Sequence, residues 1–353
     1  MTERKCEEQT WKRSTFHSLS KRRFMMKRRD YFLYIVCLSV TLWCATACQR
    51  NELPTAEGTA TIGFYSAVDN EGWLDRQTDL GGYAGADRAS RGMLMTDMYD
   101  SFGCWAGFYN SNGQWNERSP MNLMYRREIK KSEAYNTHAY WPGANKKVRF
   151  FAYAPYGLST LSVPAKVTGN PLLTYTVPAD VTLQKDLLIA SSGEYAGDFN
   201  RPVPLSFKHA LTAVRFLERE LPEGVVTSIT VGGVFSKANL RIGAQPAEVW
   251  SALDVKRDFT VRLDYRTAGV PVADRMMNLP GAYLLMIPQP MQDSAVLTLR
   301  IRDNTGVETE YSTSLKGTAD WEMGKVANYS LRISNDILVV VQSLNDWKNG
   351  GSL

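Results

Sequence analysis

Catalysis in a chain of 353 residues with three histidines and five cysteines would have to rest on very few side chains. His209, in the run Phe207-Lys208-His209-Ala210-Leu211, shares a strand face with Phe207 and Leu211. That placement predicts a buried, hydrogen-bonded ring rather than a general base, which must reach a substrate proton. His138 stands beside Tyr140 and Trp141 and reads as packing or loop. Cys104 lies among Phe102, Trp105 and Phe108, the setting of an apolar buried thiol, with an intermolecular bridge as the other use. Gly81-Gly82-Tyr83-Ala84-Gly85 neither follows a strand nor opens a helix, so it is no dinucleotide loop. G-x-S-x-G, H-E-x-x-H and C-x-x-C do not occur. Trp105, Trp115 and Trp141 offer rings that could stack on a sugar, or could fill a core. These residues predict no catalytic set, no metal site and no cofactor; the chain reads as a protein that is not an enzyme.

One cysteine does carry chemistry. Lys27, Arg28 and Arg29 form a charged stretch, and Tyr31 to Cys44 form an apolar run too short for a bilayer of roughly 30 Å, which a helix crosses in about 20 residues. Ala45, Thr46 and Ala47 supply the small residues of a cleavage site. Cys48 follows directly, in a frame resembling the bacterial lipobox, whose cysteine takes a diacylglycerol before cleavage. Each buried methylene adds about 0.8 kcal/mol, and one chain anchors only marginally, so several acyl chains make a firm attachment. The expectation is a leader over 1–47, with the signal peptide running from about residue 26 and cut before Cys48. Outer-membrane lipid would then be the partner of Cys48. The segment before Met25 and Met26 fits no targeting class, so the start codon stands at Met1 or at Met25/Met26.

The net charge of +5 belongs to that leader. Its 47 residues hold ten of the 41 basic and four of the 36 acidic residues, leaving 31 against 32. A near-neutral remainder does not suit nucleic acid, whose phosphates demand a basic surface. The run Arg126, Arg127, Lys130, Lys131 includes Glu128, is followed by Glu133, and reads as a solvated strand edge or loop. Once the leader and Cys48 are set aside only Cys104 is left, so no intramolecular disulfide can form.

Elements must hold whatever site exists, and their period is two. Phe259, Val261, Leu263 and Tyr265 alternate with polar neighbours, as do Ala295, Leu297, Leu299 and Ile301, and Ala327, Tyr329, Leu331 and Ile333. Asp303-Asn304-Thr305-Gly306 turns one strand back into Val307, Thr309 and Tyr311, a hairpin with suitable turn chemistry. Val148–Tyr153, Leu172–Val177, Asp186–Ala190, Leu205–Phe216, Val225–Val231 and Tyr283–Ile287 read as further strands. No 3.6-residue period persists. The fold expected is all-β, two tandem antiparallel β-sandwich domains over 48–220 and 221–353, divided near Leu221-Pro222-Glu223-Gly224. Between Asn70 and Thr96 lie eight glycines or alanines with Arg76, Arg88 and Arg91. That composition predicts a mobile, protease-accessible loop after a first strand, Thr59 to Ala67.

Taken in order, these features resemble the fimbrillin family, the type V pilins of Bacteroidales and their relatives, over most of the mature chain. The marks are Cys48, the strand at Ala60 to Ala67, and the arginine-bearing segment before Phe102. They continue with Tyr140-Trp141-Pro142 leading into Val148 to Pro155, then Asp186 to Ala190 and Phe207 to Leu211. Ile287-Pro288-Gln289 and Trp321 to Lys325 complete them.

The resemblance implies two transthyretin-like sandwiches, export as an outer-membrane lipoprotein, and cutting by an arginine-specific protease at Arg76, Arg88 or Arg91. Loss of the first strand would open a groove for an extended segment of another fimbrial subunit, a form of strand addition. Ile337-Leu338-Val339-Val340-Val341 would be the donated strand, or else simply the last strand of its own sandwich. The function implied is that of a fimbrial subunit or accessory tip protein supporting adhesion through strand exchange. The competing reading is an uncut surface lipoprotein that binds a host glycan or protein.

Overall fold

The computed structural model describes residues 60–68, 99–243, 249–277 and 283–347. Among them there is no α-helix, only short 3-10 turns at Lys131–Glu133 and Val181–Leu183. Strands joined by turns and loops make up the rest, as the period of two predicts.

The N-terminal sheet contains β1 (Thr61–Val68), β2 (Ser101–Asn110), β3 (Met124–Lys130), β4 (Asn136–Tyr140) and β5 (Lys146–Ala154). It is joined by β8 (Leu188–Ser191), β9 (Tyr195–Ala196) and β10 (Val203–His209). Its order is β3-β2-β5-β8-β10-β1-β4, with β9 on β5. The sheet curls until its ends meet: Arg127 of β3 donates Nη1 to the carbonyl of Thr137 in β4 at 2.5 Å.

Two further sheets carry the rest. One has β11 (Thr212–Glu220) at its centre, flanked by β18 (Lys325–Ser334), β19 (Ile337–Asp346), β14 (Arg275–Met276) and β15 (Leu284–Met286). The other is built on β12 (Val225–Arg241), which pairs with β13 (Val249–Arg266), β16 (Val296–Arg302) and β7 (Leu172–Thr176). β17 (Glu308–Ser314) and β6 (Leu161–Ser162) extend its two ends. The Asp303 turn closes as its residues predict, with Asp303 Oδ1 accepting from the amides of Thr305 and Val307.

Alternation sorts the apolar side chains into two cores. The smaller, inside the curled sheet, holds Ile62, Phe64, Phe102, Cys104, Phe150 and Phe207 among others. The larger lies between the β11 and β12 sheets and includes Phe216, Tyr329, Ile229, Leu299 and Leu331. β2, β5 and β8 serve both. Cys104, Phe150 and Ala190 face the small core, while Trp105, Phe151 and Ile189 face the large one.

Two elements differ from their sequence reading. Leu205–Phe216 is two strands, because the chain leaves one sheet at Ala210-Leu211 to enter the next. β12 runs ten residues beyond Val231, through Gly232-Gly233, where Gly233 has φ +67°. A Cβ there would lie 1.9 Å from the carbonyl oxygen of Ser294, so the position excludes any side chain. Trp105 and Trp141 are fully buried and present no ring face to a sugar. Trp105 lies on β2 and faces the larger core, and Trp141, directly after β4, packs into the smaller one, so both fill core as the commoner use of such rings.

Candidate functional site

The feature that stands apart is β1. It comes from the far side of residues 69–98, yet lies inside the sheet between β10 and β4. It runs parallel to β10, from Phe64 opposite Val203 to Val68 opposite Phe207, and antiparallel to β4, with Thr61 opposite Tyr140. Its parallel partner β10 comes after β2 to β9 in the chain, so this pairing is non-local.

Alternation decides what β1 buries. Ile62 is fully buried and Phe64 nearly so, whereas Thr61 is exposed. Phe64 meets Phe102 edge-on at 5.7 Å and Phe150 at 5.3 Å and 87°, and Phe102 in turn meets Phe207 at 5.2 Å. Such edge-to-face pairs contribute about 0.5–1.5 kcal/mol each beyond the area they bury. Backbone groups complete the seat. The amide of Phe64 donates to Tyr135 O at 3.2 Å, and Trp141 N donates to Ala60 O. Thr137 Oγ1 donates to Ile62 O at 2.8 Å, and Asn136 Nδ2 donates to Thr61 Oγ1.

Taking β1 away would therefore uncover the edge of β10 from Val203 to Phe207 and an aromatic slot floored by Phe102, Phe150 and Phe207. It would leave β4 tethered by Arg127 and by the bond from Tyr135 N to Lys130 O.

The other sequence candidates fall in different places. Cys48, Arg76, Arg88 and Arg91 lie outside the described residues. Ile337 to Val341 form the first half of β19, paired antiparallel with β18 from Ser334–Ile337 to Lys325–Asp346. In that strand Leu338 is buried while Ile337 and Val341 are largely exposed. Trp115 is half-buried, with its ring against Phe151 and Tyr109 and Arg149 stacked on it at 5.7 Å.

His138 is exposed in β4, 3.3 Å from Glu133, with φ +54°. His209 is buried, as its strand face predicts: Nδ1 lies 2.6 Å from Asp186 Oδ2, and the ring stacks on Trp347 at 4.0 Å. The Asp186 partner was not legible, because it reaches His209 only across the pairing of β10 with β8. Cys104 is buried, and burial pushes its thiol well above the usual range, so it is inert as a nucleophile. Among the described residues no group of three or more His, Cys, Asp or Glu is placed to hold a metal ion.

Fold and site together define an all-β sandwich protein whose first described strand is seated between β10 and β4 of its sheet. A model of the family described as Fimbrillin-like matches residues 92–347, and the chain belongs to that family. Among solved structures it is similar to a fimbrial protein from Bacteroides vulgatus ATCC 8482, at 16% identity and a TM-score of 0.52. That match covers 82% of this chain and 100% of the other. It is also similar to a candidate cell adhesion protein from Bacteroides ovatus ATCC 8483, at 14% identity and a TM-score of 0.50, over 81% and 97% of the two chains. At such identities the likeness is one of fold. No curated protein sequence matches the chain. The sequence resemblance to fimbrillins is thus upheld. Membership of a fimbrial family implies a place at the cell surface and points to a structural role beside other fimbrial subunits.

Proposed function

We propose that this chain is a fimbrial subunit or accessory protein that assembles by accepting a strand in place of β1. The observation that carries the proposal is β1 itself, an N-terminal strand held between β10 and β4. Its connection to the rest, residues 69–98, contains Arg76, Arg88 and Arg91. In this reading the precursor is exported as a lipoprotein anchored through Cys48 and is cut after one of those arginines. Lipid and first strand then leave together.

Ile62 contributes about 1.5–3 kcal/mol of burial and Phe64 at least as much, too much for the emptied slot to stay in contact with water when another strand is within reach. Unpaired edges recruit strands, and here the recruitment is delayed until the cut. Assembly of this kind places the protein on the outer membrane and then in the fimbrium, where it works as structure rather than as a catalyst.

The test is to treat the purified full chain with an arginine-specific protease and follow β1 by mass spectrometry. Oligomers resistant to SDS are expected once β1 is released and a partner's strand is supplied. A cut chain that loses β1 and still takes up no strand defeats the proposal.

A further inference from the structure

The slot beneath β1 is shaped for a particular pair of side chains. Position one, filled by Ile62, is aliphatic and closed; position two, filled by Phe64, is walled by Phe102 and Phe150 with Phe207 behind. A strand that enters in the same sense as β1 runs parallel to β10, and alternation sets the spacing of its inward side chains at two residues. An occupant therefore needs an aliphatic residue followed, two places on, by an aromatic one.

The chain's own C-terminal strand cannot meet that need in any register. Ile337 to Asp346 contains no aromatic residue, and the first one beyond it, Trp347, would bring the polar Asn345 into the aliphatic position. Leu338 with Val340, the pair that turns inward in β19, would leave the aromatic seat underfilled. A void of that kind forfeits the lost contacts and adds a cavity term. The same strand is also fully engaged where it stands. All ten residues pair with β18, Trp347 N donates to Gly324 O, and the Trp347 ring lies flat on His209.

Resting on the strand-accepting reading above, we infer that this chain takes its strand from a different kind of subunit, not from a second copy of itself. The partner is one whose free extended segment carries an aliphatic-x-aromatic pattern. The discrimination lives in the Phe102–Phe150–Phe207 wall.

The experiment uses the full chain cut between β1 and β2 and loaded with a fluorescent peptide of residues 60–68. Two competitors are compared: a peptide of residues 336–347, and the same peptide carrying Val340→Phe. The Val340→Phe peptide is expected to displace the probe at a concentration at least about tenfold lower. Equal displacement by both competitors overturns the inference while leaving strand acceptance standing. Failure of the 60–68 peptide to rebind the emptied chain overturns strand acceptance, and the inference with it.

Discussion

Phe64→Ala isolates the side chain that anchors β1. A buried phenylalanine removes about 150–250 Å² from water, which at about 25 cal/mol per Å² gives about 4–6 kcal/mol. That figure is an upper bound, since the unfolded chain is not fully extended. Core Phe→Ala changes cost about 3–5 kcal/mol, and the two edge-to-face contacts of Phe64 with Phe102 and Phe150 place this site at about 4. The same contacts are lost whether the chain unfolds or β1 merely leaves. Urea unfolding of the intact variant should therefore show a loss of about 4 kcal/mol. In the cut chain β1 should dissociate about a thousandfold faster, at 1.4 kcal/mol per decade. Thr61→Ala, an exposed position on the same strand whose hydroxyl meets only Asn136, should cost under about 1 kcal/mol. If Phe64→Ala costs no more than Thr61→Ala, β1 is not held by its aromatic anchor and the slot does not select for one.

Three further outcomes are expected. Trp347→Ala removes the plate over His209 and should make the amides of β19 exchange about a hundredfold faster, with those of β12 unchanged; uniform exchange throughout would show that Trp347 does not pin the strand. Glu218 is fully buried, bonded to Arg275, Tyr265 Oη and the amide of Ala268. Glu218→Ala should cost about 2–4 kcal/mol by denaturation, Arg275 being half exposed, and a loss under about 1 would contradict the network's role. Thr305 Oγ1 and the amide of Val307 hold the Asp303 carboxyl below its usual range. A depressed folded value means the contribution to the β16–β17 hairpin is present above the ordinary aspartate range and is lost as pH falls through the folded value. Hairpin amides should thus lose protection on acidification in the native chain and show no such step in Asp303→Asn.

How much of this the sequence discloses depends on which face of a strand is wet. β13, β16 and β18 were legible because polar residues alternate with apolar ones on them. β2 was not: Phe102, Cys104 and Ala106 face one core while Trp105 faces the other, so its pattern has no period of two. β4 was hidden for a different reason, since His138 takes a left-handed conformation and the strand is bulged against β1. For the site, β1 showed its own alternation, but its seat did not. Phe102, Phe150 and Phe207 are brought together only by the order of the sheet, and no local spacing encodes that order. The burial of His209 was readable from its strand face, whereas its bond to Asp186 was not.

β2, β5 and β8 are walls with packing on both sides. A wall backed on one side only would sag inward once its groove was emptied, and an arriving strand would have to pry it open again. Here Trp105, Phe151 and Ile189 brace the same strands from behind, within the larger core. The vacancy should keep its outline, so the ordering cost is met during folding and not at each act of assembly. Under the proposed strand exchange, a subunit built this way would be cocked before it meets a partner, with its rate of joining set by encounter rather than by rearrangement.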